Sequence, residues 1–181
     1  MRVIAGSAGG IRLLTVPGRN TRPTLDRVRE SVFAILTPRL LDAKVLDLYA
    51  GTGALGLEAL SRGAASCVFV ENDEAALRVL RENVERTGLS DCARIRRGRL
   101  PQALGTLAGE GPFDLVLCDP PYAQAQWAAL LAGLVPLLAR NFLVVWEHAR
   151  QDAPVLPANY QVLRRAEYGQ TSVSFLGRGD G

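Results

Sequence analysis

An α/β fold is predicted by this sequence: a parallel sheet covered on both faces by helices, closed by an antiparallel last strand and preceded by an N-terminal β-hairpin. Three observations carry that prediction. Short apolar strands alternate with helical periodicities between residues 44 and 146, the pattern of strands buried under crossover helices. A glycine-rich bend over residues 47–56 joins the first of these strands to a helix. Towards the end, the strand-like stretches 160–167 and 171–176 are separated only by Tyr168-Gly169-Gln170, so short a connection that they must pair antiparallel.

The elements follow in order. Arg2-Val3-Ile4-Ala5 and Ile11-Arg12-Leu13-Leu14-Thr15-Val16 flank Gly6-Ser7-Ala8-Gly9-Gly10, which predicts a hairpin with a glycine-rich turn. After a loop over residues 17–23, Thr24 can cap a helix whose apolar residues Leu25, Val28, Val32, Ile35 and Leu36 recur at helical spacing. Pro38 limits its continuation. Strands are expected at 45–49, 66–71, 93–96, 113–118 and 141–146, and helices at 54–62, 74–87, 101–107 and 126–138. The length of 181 residues suits one compact domain, divided into an extension over 1–40 and a main body over 41–181. No internal repeat or linker divides it further.

With 48% hydrophobic and 22% charged residues, the chain can bury enough apolar surface to offset its entropy, which excludes a disordered chain. No apolar run approaches the ~20 residues that cross a bilayer, and residues 1–10 lack a signal-peptide core; the cytosol is the expected compartment. Cys67, Cys92 and Cys118 are odd in number, far apart and set in or beside apolar runs, so buried thiols are expected rather than a disulfide or a metal site. Charge is uneven. Seven arginines against Asp26 and Glu30 make residues 1–40 +5 and leave −2 for the rest of a chain whose net charge is +3. A basic extension beside a nearly neutral body suits an anionic polymer such as RNA.

Asp47-Leu48-Tyr49-Ala50-Gly51-Thr52-Gly53-Ala54-Leu55-Gly56 contains a GxGxxG, and Glu71 ends the next strand twenty residues after Gly51. Glycines permit the tight turn and close approach of a ligand, the helix start offers free amides, and the acid can accept from ribose hydroxyls. A nicotinamide-dependent oxidoreductase would show the same glycines and acid. Two features favour a methyl donor: Asp47, four residues before Gly51, is placed to reach the donor's amino acid portion, and Asp119-Pro120-Pro121-Tyr122 fits no hydride-transfer scheme. For Asp47 the structural alternative is a satisfied strand-end carboxylate.

Asp119-Pro120-Pro121-Tyr122 follows the fourth expected strand, outside a carboxyl end, where open α/β sheets bind ligands. Paired prolines stiffen the turn, and in-line methyl transfer depends on positioning. Asp119 can accept hydrogen bonds from an exocyclic amine and stabilise the developing positive charge. Tyr122 offers a face for stacking a base. In isolation, the tetrapeptide is equally readable as a strand-ending turn.

These residues resemble the RsmD family of small-subunit ribosomal RNA guanine-N2 methyltransferases over nearly the whole chain. The resemblance rests on Arg2-Val3-Ile4-Ala5-Gly6, Arg22-Pro23-Thr24 with Asp26-Arg27-Val28-Arg29-Glu30, residues 47–62, Asp119 to Tyr122, and Tyr168-Gly169-Gln170-Thr171. It implies a seven-stranded, Rossmann-like class I fold, S-adenosylmethionine as donor with no metal, and a guanine of ribosomal RNA or the small subunit as target. The expected catalytic set is Asp119, Pro120, Pro121 and Tyr122. The expected donor set is Asp47, Ala50, Gly51, Thr52, Gly53, Glu71, Asn72, Leu100, Asp119 and Thr24, and the expected RNA contacts are Arg2, Arg12, Arg22, Arg27 and Arg29.

Such enzymes usually carry an acid after the third strand, where this chain has Arg99, so adenine recognition is expected to rest on backbone groups or an apolar slot. Arg94, Arg96, Arg97 and Arg99 either extend the RNA face or form a solvated charge run. His148 is expected to be structural, and Trp127 and Trp146 to be core. No surplus apolar helix face stands out, which points to a monomer. Two competing readings remain at this point: an adenine-N6 methyltransferase, which shares Asp-Pro-Pro-Tyr, and a non-catalytic RNA-binding assembly factor.

Overall fold

The computed structural model describes residues 1–16, 23–121, 127–152 and 155–179. In chain order its elements are α1 (Pro23–Leu36), β1 (Lys44–Leu48), α2 (Ala54–Ser61), β2 (Ser66–Glu71), α3 (Glu74–Thr87), β3 (Ala93–Arg97), β4 (Phe113–Cys118), α4 (Trp127–Leu134), β5 (Leu138–Ala149), β6 (Tyr160–Tyr168) and β7 (Thr171–Arg178). The seven strands form one sheet in the order β3-β2-β1-β4-β5-β7-β6. β1 to β5 are parallel, while β7 pairs antiparallel with both β5 and β6.

Period-two alternation divides the sheet's side chains between two cores. Val45, Cys67, Phe69, Leu117, Val145 and Phe175 face α1, α2 and α3, joining Val32, Leu36, Leu57 and Leu80 in one cluster. Leu46, Val68, Val70, Val116, Val144 and Leu176 face the other way, against Leu104, Leu131 and Leu134. Burial on both faces is why the central strands read as continuous apolar runs rather than alternating ones. Each fully buried leucine or phenylalanine among them contributes about 1.5–3 kcal/mol of transfer free energy.

Local chemistry sets several boundaries. Asp73 caps α3 by accepting from the amide of Ala76 at 2.8 Å, and Gly88 ends it with φ 69°, where a side chain would be strained. α4 stops at Leu134 because Pro136 lies in the following 3-10 turn, Val135–Leu137, and lacks an amide to continue the helix. This frees residue 138 to begin β5, which is therefore longer than the 141–146 expected; Gln126 lies outside the described residues. The short helix expected at 101–107 is a 3-10 helix over Gln102–Leu107.

The N-terminal hairpin is reduced to one bridge, Arg2 to Arg12, with cross-links from Val3 N to Ile11 O and Leu13 N to Met1 O. Further backbone groups of the extension are satisfied by α2 and α3. The Glu58 carboxylate accepts from the amides of Ile4 (2.7 Å) and Ala5 (3.1 Å), Ser61 Oγ accepts from Ala8, and Asn83 exchanges hydrogen bonds with Leu14. Val3, Ala8 and Leu13 enter the core beneath. The extension is thus fastened across α2 and α3, next to the glycine bend.

Candidate active site

Strand order reverses between β1 and β4, since successive strands run outward from β1 in one direction and then from β4 in the other. Loops leaving neighbouring carboxyl ends part at such a switch point. A crevice of about 730 Å³ lies there, lined among others by Tyr49, Gly51, Glu71, Leu100, Asp119 and Pro120, within the few hundred to ~1,000 Å³ usual for small-molecule sites.

Its first wall is the glycine bend. Tyr49 with φ 56° and Gly51 and Gly53 in the left-handed region turn the chain from β1 into α2. A Cβ on Gly53 would lie 2.3 Å from Leu80 Cδ1, and one on Gly56 would lie 2.3 Å from Phe69 Cε1; those two glycines let the bend pack on the core. Gly51 has no such neighbour and faces the crevice. Ala50, Thr52 and Gly53 build the bend rather than line the crevice: Ala50 donates to Val70 O, Gly53 to Ala50 O, and Thr52 O accepts from Asn83 Nδ2 at 2.9 Å.

Glu71 holds the second wall. Its Oε2 accepts from Gly51 N at 2.7 Å, and Oε1 accepts from Asn72 N at 2.6 Å and Asp73 N at 2.7 Å. The carboxylate is bound on its inner side to three amides and still has an acceptor lone pair on Oε2, since each oxygen carries two. Asn72 stands exposed beside it. Gly98, whose amide donates to Glu71 O at 3.0 Å, Arg99 and Leu100 complete this side. Arg99 is exposed, and Leu100, Val70 and Pro120 supply apolar surface.

Asp47 differs from its expected role. It is 1% exposed, and its Oδ2 accepts from Gly56 N at 2.9 Å, bracing the start of α2 against β1 instead of reaching into the crevice. Burial is the main cause that raises its carboxyl to about 8, opposed by the Gly56 hydrogen bond and assisted by Asp119 and Glu71. Asp119 stands exposed at the crevice wall, yet surrounding protein strips enough water to push its carboxyl up to about 6. Pro120 is buried behind it and Pro121 exposed. Tyr122, Arg22 and the side chain of Thr24 lie outside the described residues.

Of the arginines expected to meet RNA, Arg2, Arg12 and Arg27 are exposed. Arg29 is a correction: it is 5% exposed and donates through Nη2 to the carbonyl of Arg2, because its helix position points into the seam between α1 and the extension. On β3, Arg96 pairs with Glu110 at 2.5 Å and Arg97 with Glu74 at 2.8 Å, so those two are partnered surface charges. His148 is buried, with Nδ1 against Ala149 O and Nε2 against Ser174 Oγ, and burial lowers its pKa. Sequence reasoning missed Tyr49, Gly98 and Glu58. Only Glu58 carried a local signal, as the one charge in the otherwise apolar helix ALGLEALS.

Among the described residues, no group of three His, Cys, Asp or Glu could hold a metal ion, and no helix is long and apolar enough to cross a membrane. The sheet order, antiparallel close and glycine bend at the switch point are those of class I S-adenosylmethionine-dependent methyltransferases. A family model described as conserved hypothetical protein 95 matches residues 1–177. Ribosomal RNA small subunit methyltransferase D of Escherichia coli is 35% identical over 180 residues, covering 95% of this chain and 87% of that one. The chain belongs to this RsmD family. A solved structure described as putative methyltransferase yhhF from Escherichia coli superposes with a TM-score of 0.84 at 36% identity, covering 100% and 99% of the two chains. A more distant fold relative, SMU.776, is a putative methyltransferase complexed with SAH; its TM-score is 0.69 at 12% identity, over 87% of this chain and 50% of that one.

Proposed function

We propose that this protein transfers a methyl group from S-adenosylmethionine to the exocyclic N2 of a guanine in small-subunit ribosomal RNA. The observation that carries the reading is Asp119: a carboxylate on a proline-stiffened turn, forming a wall of the crevice that the glycine bend and Glu71 close from the other side. That crevice fits the donor, as an SAH-bound fold relative and the names of the family's members support. Glu71 would accept from a ribose hydroxyl through the remaining lone pair of Oε2, Gly51 and Asn72 would flank the sugar, and Leu100 and Pro120 would border the adenine. S-adenosylmethionine, when bound, supplies an electrophilic methyl on a sulfonium.

This chain's residues do the rest. An exocyclic amine is a weak nucleophile because its lone pair is delocalised into the base. Asp119 accepts one of its N–H groups and returns electron density to nitrogen, which forms the new C–N bond as the C–S bond breaks. The nitrogen then carries an extra proton, which leaves to the Asp119 carboxylate and on to solvent. Pro120 and Pro121 limit the torsional freedom of that acceptor. Arg2, Arg12 and Arg27 on the exposed extension meet RNA phosphates, and the protein works as a monomer on a substrate far larger than itself.

The test is nucleoside mass analysis after incubating purified protein and labelled donor with naked small-subunit RNA and with small subunits. N2-methylguanosine from either substrate is expected. Methyladenosine, or donor binding without any methylated nucleoside, overturns the reading.

A further inference from the structure

The end of the sheet opposite the crevice carries charge that plays no part in methyl transfer. Arg39, in the 3-10 turn Thr37–Arg39 after α1, Arg140 near the start of β5 and Arg178 at the end of β7 are all exposed. With Asn141, Phe142 and Leu163 they border a groove of about 450 Å³, and among the described residues no acid lines it. Asp42 and Asp114 belong to an adjoining hollow, which shares only Arg39 and Asn141 with the groove. Backbone carbonyls hold two of the guanidinium groups in place: Arg39 Nη1 donates to Asn141 O at 3.1 Å, and Arg178 Nε to Arg140 O at 3.2 Å. Arg178 also lies over the Phe142 ring, 6.0 Å from its centroid. A guanidinium has five N–H donors, so both keep donors to spare.

Other arginines are neutralised where they stand: Arg62 by Glu58, Arg96 by Glu110, Arg97 by Glu74 and Arg150 by Glu167. Among the described residues none of the three at the groove takes part in an ion pair. Three segments far apart in sequence thus bring three like charges together without a counter-charge, an arrangement that repels itself until an anionic partner arrives.

We infer that this groove is a second RNA contact, in which Arg39, Arg140 and Arg178 bind backbone phosphates remote from the methylated base. This rests on the RNA methyltransferase reading above and adds how the protein favours a large substrate over a short one. Guanidinium forks match phosphate oxygens bidentately, and each phosphate bound releases counterions. Leu163, 52% exposed, offers apolar surface to a sugar beside them. Distance decides which RNA can use the groove. From Arg140 to Trp146, which is level with Cys118, β5 advances about 20 Å at about 3.3 Å per residue, and Asp119 follows Cys118. A target nucleotide alone cannot reach both places, whereas a long folded RNA can. Once one contact has formed, the other forms within the same complex, so the two reinforce each other. The groove therefore lowers KM and leaves the chemical step alone.

Replacing Arg39, Arg140 and Arg178 together by glutamine removes the charge and keeps a side-chain donor for the two carbonyls. Replacing them by lysine keeps the charge. Fluorescence anisotropy over a salt series, without methyl donor, compares naked small-subunit RNA with an oligonucleotide whose ends stay within about 20 Å of the target base. On the long RNA the glutamine protein should lose up to about 3 from the slope of log affinity against log salt, while the lysine protein keeps the wild-type slope. On the oligonucleotide all three proteins should bind alike. In methylation of the long RNA, the glutamine protein should show a KM raised at least about fivefold with kcat unchanged. A wild-type slope in the glutamine protein on the long RNA overturns the inference. An equal loss on both RNAs does so too, since it would mark diffuse charge and not a second contact. Turnover lost on small subunits while binding to naked RNA is intact also overturns it, because the occupant would then be an acidic protein. If the three arginines carry the slope on long RNA yet wild type forms no methylated nucleoside, the second contact stands and the methyltransferase reading fails.

Discussion

Asp119 must be ionised to accept from an amine, and its surroundings work against ionisation by pushing its carboxyl up to about 6. kcat/KM on RNA should therefore fall about tenfold per pH unit below about 6, which a pH–rate profile with RNA below saturation will show. Asp119→Asn keeps an acceptor but loses the charge and the proton sink, and should cost about 10²–10³ in turnover while donor affinity changes only a few fold. Asp47 obeys the opposite logic. Its folded carboxyl titrates at about 8, against an ordinary 3.8, so between those values the native state holds a proton that the unfolded chain has released. Stability from this group is complete below the lower value and is lost as pH rises through the upper one. Asp47→Asn keeps an acceptor for the Gly56 amide and has nothing to ionise. Its melting temperature should match wild type near pH 4 and exceed it near pH 8.5, by on the order of a few kcal/mol in stability; a gap that does not widen with pH means that Asp47 is charged in the fold.

Among the elements, α2 has two tasks: its first turn carries the glycine bend, and its far side holds the extension. Glu58 links them. It is fully buried and binds Ile4 N, Ala5 N and Arg62 Nε, the last at 2.6 Å. Glu58→Ala leaves two amides and a guanidinium without their acceptor, which should cost about 3–5 kcal/mol. Amide hydrogen exchange should rise first in residues 1–14. Gly6→Ala tests the same seam from the other side. A Cβ there would lie 1.8 Å from Ser61 O at a φ of +86°, so the turn must lift off, and exchange should rise in the same residues while β1 to β5 stay protected. Protection in residues 1–14 that survives both changes would mean that the extension is held by its apolar contacts alone.

At the scale of the molecule, the two helical layers serve a sheet whose active end is set by strand order. RNA binding at that end is a matter of spread charge. Replacing Arg2, Arg12 and Arg27 together by alanine should reduce the slope of log affinity against log salt by up to about 3, measured by RNA fluorescence anisotropy across a salt series. Arg29→Met should leave that slope unchanged and instead loosen the extension, because Arg29 is spent on the Arg2 carbonyl. A slope that falls as much for Arg29→Met as for an exposed arginine would return it to the RNA surface.

What the sequence determined by itself is what short windows encode. Alternating periodicities and turn chemistry yielded the strands, the helices and the antiparallel close; α3 from Glu74 to Thr87, with its Asp73 cap and Gly88 stop, matches the expected span because every signal for it lies within 16 residues. The glycine bend, Glu71 and the proline turn were legible for the same reason, and Glu71 and Asp119 do line the crevice. Only tertiary structure decided how particular side chains are used. Asp47 became a brace, Arg29 an internal clamp, and Glu58 the anchor of a segment 54 residues away, since desolvation and hydrogen-bond partners are created by packing. The placing of Asp119 beside the end of β5 depends on the register of β4 against β5, and register arises when two distant strands find one buried face.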